Sequence, residues 1–166
     1  MFITLRIYRK ADIRALAWVA KAISKDSLGR RALEGINFSH ADGYLIAAAS
    51  DGFRVHEARI PNVDMQITIA GLYKPEVISV SKKIIVLSSI ADATFPDYER
   101  IIPKPGTPGV QAKLDRKFVA EAASCTEAPV LQIHEDPSKP ITVEDTKDGI
   151  FFRGIVMPMH RARKRE

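Results

Sequence analysis

Residues 31–55 read RALEGINFSHADGYLIAAASDGFRV, three largely apolar stretches separated by two Asp-Gly pairs. An Asp-Gly pair between apolar stretches is typical of a hairpin turn, because glycine tolerates the positive φ that tight turns need. The segment therefore predicts three consecutive strands. They span about Ala32–Ser39, Tyr44–Ala49 and Phe53–Ile60, with turns at Asp42-Gly43 and Asp51-Gly52.

The residues before this segment predict a strand and a helix. Residues 2–8, FITLRIY, are rich in β-branched and aromatic side chains, which is typical of a strand. From about Ala11 to Ser24, apolar residues recur at the spacing of a helix. These residues are Ile13, Leu16, Ala17, Ala20 and Ile23. With the three strands that follow, the elements form one β-α-β-β-β unit.

The middle of the chain is predicted to be rich in strands. It offers no convincing helix, since Pro75 interrupts the only candidate. Its strand-like stretches are Met65–Ala70, Val77–Ser81 and Ile84–Ser89. Proline and glycine then dominate Pro103–Gly109, PKPGTPG, which predicts a stiff linker.

After the linker the first pattern returns. Asp115 is predicted to cap a helix that runs to about Cys125, since aspartate accepts hydrogen bonds from the free amides at a helix start. Strands are predicted at Val110–Leu114, Val130–His134, Ile141–Glu144 and Ile150–Met157, with a hairpin turn at Asp148-Gly149. The sequence thus predicts an α+β fold with two β-α-β-β-β units around a β-rich middle.

The composition is that of a globular protein, with 46% hydrophobic and 27% charged residues. Lysine and arginine number 25 against 20 acidic residues, an excess that permits contact with a polyanion without requiring it. Cys125 is the only cysteine, so an intrachain disulfide is excluded. No signal peptide is evident, and no apolar run approaches the roughly 20 residues that span a bilayer. A cytoplasmic protein without a membrane partner is expected.

Motifs for catalysis or cofactor binding are missing from the sequence. Neither phosphate-binding glycine fingerprint occurs, and the four histidines lack metal-ligand spacing. His134 and Asp136 can converge on one face of a strand, but two ligands rarely make a metal site. Asp92 and Asp97 are a conceivable acid/base pair that nothing else supports. No metal, no cofactor and no enzymatic activity are therefore expected.

Three segments carry motifs that occur together in one family. Residues 31–38 and 49–55 are similar to an R-x-x-L-x-G-x-x-F strand followed by a T-D-G-H-R-L turn, with Phe53 in place of the usual histidine. Residues 95–103, FPDYERIIP, are similar to an F-P-D-Y-x-R-V-x-P linker, and Val156–Met159 to a V-M-P-M ending. In this order the segments resemble the bacterial DNA sliding clamp, the β subunit of DNA polymerase III.

The resemblance implies a sliding-clamp-like fold, with helices packed on one face of antiparallel sheets. Residues 1–103 then resemble the family's second domain, and residues 104–166 a reduced half of its third domain that ends in the basic tail 160–166. The chain has less than half the length of a family clamp and lacks a match to the first domain, as expected of a truncated or minimal member. A ring of the family's size would need more than two copies.

The family's second and third domains enclose a cleft that captures linear peptides of DNA polymerase and other partners. Carried over by motif, the cleft would be lined by Leu33, Ser50, Gly52, Arg54, Val55, Pro96, Ile101, Met157, Pro158 and Met159. The apolar members suit a leucine or phenylalanine anchor, the methionines can adapt to different peptides, and Arg54 suits a polar clamp at the rim. A plain core and a plain turn are the alternative for the same residues.

A basic surface is predicted on the first helix. Arg14, Trp18, Lys21 and Lys25 follow helical spacing and fall within about 60° of arc, opposite the apolar stripe. Helices of the family face DNA across the inside of the ring, which implies phosphate contacts by residues of both helices. These are Arg14, Lys21, Lys25, Arg116 and Lys117. A solvated amphipathic face has the same pattern.

Three functions fit these observations. The first is a non-catalytic replication processivity factor, a homo-oligomer on double-stranded DNA that docks DNA polymerase or other proteins with clamp-binding motifs. The second is a peptide-binding adaptor, or competitor of clamp partners, that does not encircle DNA. The third is a small enzyme on a clamp-like scaffold, since a fold does not fix a function.

Overall fold

The structure, a computed structural model, describes residues 2–25, 29–62, 67–101, 114–125, 127–134, 136 and 138–158. The helices and strands in chain order are β1 (Phe2–Arg6), α1 (Lys10–Val19), β2 (Ile36–Ala41), β3 (Tyr44–Ser50), β4 (Arg54–Pro61), β5 (Gly71–Ser79), β6 (Ile84–Ser89), α2 (Arg116–Ala122), β7 (Val130–Gln132), β8 (Ile141–Lys147) and β9 (Ile150–Val156). Within the described residues, these nine strands form one antiparallel sheet in the order β1-β6-β5-β2-β3-β4-β9-β8-β7.

The predicted β-α-β-β-β order is present in the first half of the chain as β1, α1, β2, β3 and β4. In the second half it is present as α2, β7, β8 and β9. Of the strand predicted at Val110–Leu114, residues 110–113 lie outside the described residues and Leu114 is in no strand. The last strands of the two units, β4 and β9, pair from Arg54 opposite Val156 to Arg59 opposite Phe151. The linker Pro103–Gly109 and the tail 160–166 also lie outside the described residues, so the division at residue 103 stays a prediction.

Both helices pack on the same face of the sheet. Ile13 and Leu16 of α1 are buried, as their spacing predicts, and so is Val19, which was not part of the predicted stripe. Helix α2 lies on β9 at Gly154, where a side chain would meet the Cβ of Ala122 at 2.6 Å. Glycine is required there because it lets the helix backbone approach the strand. Among the described residues, no helix has the length and hydrophobicity to cross a bilayer.

Two of the predicted hairpin turns form as expected from local chemistry. Asp42 and Gly43 have φ angles of 51° and 79°, and Asp148 and Gly149 have φ angles of 54° and 75°. Two consecutive positive φ angles define the turn that matches the twist of paired strands. The Asp51-Gly52 pair instead belongs to a three-residue loop, since β3 ends at Ser50 and β4 begins at Arg54.

The middle of the chain differs from its prediction. Strand β5 runs through Pro75, and the predicted strand at Met65–Ala70 is wrong over residues 67–70, which are in no strand. Proline is tolerated in β5 because the pairing with β6 shifts register between Pro75 and Val77. Such an irregularity removes the need for an amide donor at that position.

Candidate functional site

The start of β4 presents successive side chains to opposite faces of the sheet. Arg54 and His56 point toward the helices, where Arg54 bonds to the carbonyl of Lys21 and His56 stacks on Trp18. Val55 and Glu57 point to the other face, which we call the outer face. This is the two-residue alternation of a strand.

An apolar groove of about 570 Å³ opens on the outer face. One side is formed by Leu33, Ser50, Gly52 and Val55, and the facing wall by the segment 92–98. Its volume lies within the range of cavities that hold a small ligand or a few side chains. The full lining consists of Gly29, Arg30, Arg31, Ala32, Leu33, Ser50, Gly52, Val55, Asp92, Ala93, Phe95, Pro96, Asp97 and Tyr98.

The loop beside the groove is held by its own hydrogen bonds. The Ser50 hydroxyl accepts from the Gly52 amide at 3.1 Å and donates to the Arg54 carbonyl at 2.9 Å. Asp51 Oδ1 accepts from the amides of Phe53 and Arg54 at 3.0 and 3.1 Å. Gly52 has a φ of 91°, a conformation that glycine adopts without strain. The groove is therefore bordered by a preorganised loop.

Five of the residues predicted for the peptide cleft line this groove. They are Leu33, Ser50, Gly52, Val55 and Pro96. Met157 and Pro158 are not among the described residues of the lining, although the Met157 amide donates to the Phe53 carbonyl at 3.0 Å. Ile101 ends the short 3₁₀ turn Tyr98–Ile101, and its side chain lies outside the described part, as does Met159.

The prediction that Arg54 is a polar clamp at the rim of the groove is corrected by the structure. Its side chain is 9% exposed and lies on the helix side of the sheet. There it pairs with Asp51 at 3.0 Å and with Glu121, and it donates to the Lys21 carbonyl at 2.7 Å. Alternation along β4 places Arg54 opposite Val55, so the two residues cannot share one groove. Arg54 ties α1, α2 and the loop together.

A second depression, of about 620 Å³, lies between the end of α1 and the start of α2. We call it the basic depression. Its lining consists of Lys21, Ile23, Ser24, Lys25, Asp51, Phe53, Arg54, Lys117, Phe118 and Glu121. Lys21, Lys25 and Lys117 are exposed there, whereas Arg54 is paired with the two acidic residues. The predicted DNA contacts Arg14 and Arg116 are also exposed, but they lie outside this lining.

The predicted basic stripe on the first helix is wrong at two positions. Trp18 is buried, stacks on His56 with ring centroids 4.2 Å apart, and donates from Nε1 to the Glu121 carbonyl at 2.9 Å. Helix α2 covers this side of α1, which the spacing within α1 could not reveal. Lys25 lies beyond the helix, because the backbone is already extended at Ile23.

A buried charge cluster on the outer face was missed by the sequence reasoning. Glu57 is fully buried, its Oε1 accepts from Arg59 Nε at 2.8 Å, and its Oε2 accepts from the Tyr98 hydroxyl at 2.5 Å. Arg153 lies 3.8 Å from the same carboxylate. We call these four residues the Glu57 cluster. Burial, followed by the neighbouring Glu57 carboxylate, raises the pKa of Tyr98 far above its usual range. The signal in the sequence was Tyr98 of the FPDY motif, but nothing there pairs it with Glu57.

His56 is a neutral histidine in the core. Its Nδ1 donates to the Trp18 carbonyl at 3.0 Å, which fixes the tautomer, and its Nε2 has no partner among the described residues. Burial lowers the pKa of His56 to about 4. Among the described residues, no three His, Cys, Asp or Glu side chains gather as metal ligands.

Neither models of protein families nor curated protein sequences match this chain, whereas solved structures do. The β subunit of DNA polymerase III from Thermotoga maritima aligns with a TM-score of 0.62 at 16% identity, over 98% of this chain and 66% of that chain. The Helicobacter pylori β clamp gives 0.64 at 13% identity, over 95% and 66%. The C. crescentus β sliding clamp gives 0.65 at 13% identity, over 96% and 65%. The alignments thus span just under two thirds of each clamp chain, and at these identities they show that this chain has a fold like that of bacterial DNA sliding clamps.

Proposed function

We propose that this protein is a non-catalytic, sliding-clamp-like accessory factor of DNA replication. It captures linear peptides of DNA polymerase or other partners in the apolar groove, and it contacts double-stranded DNA without sequence preference through its helix face. The observation that carries the proposal is the groove itself, which is lined by residues of two of the three clamp-like segments, 31–55 and 95–103.

The chemistry of the groove suits an extended peptide with apolar anchors. Leu33 and Val55 offer an apolar floor, and Phe95 and Pro96 offer an apolar wall. Arg30, Arg31, Asp92 and Asp97 also line the groove, so a peptide backbone finds both donors and acceptors there. A leucine or phenylalanine anchor would gain most of its binding free energy by leaving water.

The helix face suits loose contact with a polyanion. Its exposed cations, at Lys21, Lys25 and Lys117 together with Arg14 and Arg116, project from two helices and the loop after α1. Long cationic side chains on a solvated surface bind phosphates by charge, and they read no base edges. This is the kind of contact that permits movement along DNA.

Peptide capture is tested by fluorescence anisotropy with a labelled clamp-binding peptide that has leucine and phenylalanine anchors. Pro96→Asp places a charge in the groove wall at an exposed position, so folding should be retained. We expect about tenfold weaker binding or more, because the peptide must desolvate the new carboxylate. Val77→Asp, an exposed valine of β5, is the matched control with unchanged affinity. Equal affinity of both variants and the unaltered protein would contradict the proposal.

A peptide-binding adaptor that never surrounds DNA is the second candidate. It is favoured by one observation: described residues of a single chain form the groove, whereas the alignments cover only 65–66% of the matched clamp chains. The two candidates differ in the number of copies that assemble.

A further inference from the structure

The wall of the groove has no secondary structure of its own. Residues 90–97 belong to no helix or strand, and Asp92 has a φ of 57°. Within the wall, the rings of Phe95 and Tyr98 meet edge to face at 6.0 Å, and the Tyr98 amide donates to the Pro96 carbonyl at 2.9 Å. These contacts shape the wall, but they do not fix its distance from the sheet.

Among the described residues, two hydrogen bonds connect the ends of the wall to the sheet. At one end the Ile90 amide donates to the Leu72 carbonyl of β5 at 3.0 Å. At the other end the Tyr98 hydroxyl donates to Glu57 Oε2 at 2.5 Å. Glu99 adds weaker contacts of 3.7 and 3.9 Å to Arg59 and Arg153, but it is 56% exposed. The Tyr98 bond is therefore the principal attachment at the far end.

Glu57 is a firm anchor for that bond. It lies two residues along β4 from Val55, on the same face of the sheet as the floor of the groove. Arg59 Nε donates to its Oε1, and the guanidinium groups of Arg59 and Arg153 lie over the Phe151 ring, 5.6 and 5.1 Å from its centre. A hydrogen bond to a buried, paired carboxylate is stronger than one between neutral groups.

We propose that the Tyr98–Glu57 hydrogen bond holds the wall 92–98 at its distance from the groove floor, so that Tyr98 and Glu57 are positioning residues for the bound peptide. This inference rests on the proposed peptide-binding function. Without the bond, the wall samples more conformations, and a peptide must order it at the cost of conformational entropy. We expect the affinity to decrease because the peptide dissociates faster.

The test uses the full chain and Tyr98→Phe, which removes only the hydroxyl. Tyr44→Phe is the matched control, because Tyr44 begins β3 at the end remote from Ser50 and the groove. Hydrogen exchange of the free protein is followed by mass spectrometry, and stopped-flow anisotropy follows the labelled clamp-binding peptide. For Tyr98→Phe we expect exchange of residues 92–98 to accelerate about tenfold and peptide dissociation to quicken by a similar factor, with an unchanged association rate. Tyr44→Phe should match the unaltered protein.

Glu57→Gln supplies a graded variant, since it removes the charge and leaves a single acceptor oxygen where Glu57 has two, one for Arg59 and one for Tyr98. We expect its wall exchange to lie between that of Tyr98→Phe and the unaltered protein. Slow, unaltered exchange of the wall in Tyr98→Phe would overturn the inference, and so would accelerated exchange with an unchanged peptide dissociation rate. If the unaltered protein binds no peptide, the proposed function fails, while the exchange measurement still decides whether the bond holds the wall.

Discussion

Arg54 and Val55 are neighbours in sequence, yet they serve opposite faces of the sheet. Val55 lines the groove, while Arg54 joins the loop to both helices. His56 lies on the same side of the sheet as Arg54, where its ring stacks on Trp18 and donates a hydrogen bond to the Trp18 carbonyl. The residues of β4 that face the helices therefore pack in the core and stabilise the fold. Those on the outer face belong to the candidate site.

His56 predicts a dependence of stability on pH. Its pKa falls from 6.5 in the unfolded chain to about 4 in the folded protein, so the folded state binds fewer protons between these values. Stability should therefore decrease as the pH falls from 6.5 toward 4, by about 3 kcal/mol in all, and this contribution should change no further at lower pH. The buried Nε2 would gain a proton without an acceptor.

The measurement is urea unfolding of the protein and of His56→Gln at pH 7 and pH 4.5. Burial raises the pKa of Asp12, which acts in the opposite direction, so the difference between the two proteins isolates the histidine. We expect the variant to lose less stability on acidification. Equal losses in both proteins would show that His56 does not titrate in this way.

Among the helices, strands and turns, features that depend on neighbouring residues could be predicted from the sequence. Features that depend on packing between distant segments could not. The Asp42-Gly43 and Asp148-Gly149 turns were predictable because their conformations depend on their own residues. Trp18 was assigned to the exposed side because spacing within α1 reveals only one partner, the sheet. Its burial depends on His56 of β4, on Phe152 of β9 and on α2, and the last two lie more than 100 residues away in sequence.

The candidate site also contains residues that could be predicted from the sequence and residues that could not. The motifs placed Leu33, Gly52, Val55 and Pro96 in one groove, since each motif residue is tied to a local turn or strand. The Glu57 cluster was not predictable, because it joins side chains from β4, β9 and the wall that share no local pattern. A buried glutamate on a strand gives no sign of its partners.

The basic depression yields a prediction for DNA binding. Replacing Lys21, Lys25 and Lys117 together by alanine should weaken binding to double-stranded DNA at low salt. The slope of log affinity against log salt concentration should fall by about 2 to 3, since each lost phosphate contact contributes roughly 0.9. Lys82→Ala, in the exposed turn between β5 and β6, is the control. An unchanged slope in the triple variant would assign DNA contact to another surface.

Within the described residues, the nine-stranded sheet has β1 and β7 as its edge strands. Within the described residues β7 is outermost on one side, and its Val130 and Leu131 are 60% and 48% exposed. An apolar edge strand is a ready partner for another strand. The strand thus supports the expectation of a homo-oligomer, which a DNA-encircling assembly requires.

Native mass measurement tests this expectation. We expect more than one copy at concentrations of about 10 µM, and mostly monomer for Leu131→Lys, because a charge on an edge strand opposes pairing. Val77→Lys should assemble like the unaltered protein. A monomer at all concentrations would favour the adaptor over the encircling factor.

The groove on the outer face is the claim on which the proposed function depends, and amide NMR during titration with the clamp-binding peptide tests it most directly. We predict that the largest shifts occur at Leu33, Gly52, Val55 and the wall 92–98, while amides of α1 and α2 on the other side of the sheet move little. Shifts concentrated on the helices, or no shifts at saturating peptide, would contradict it.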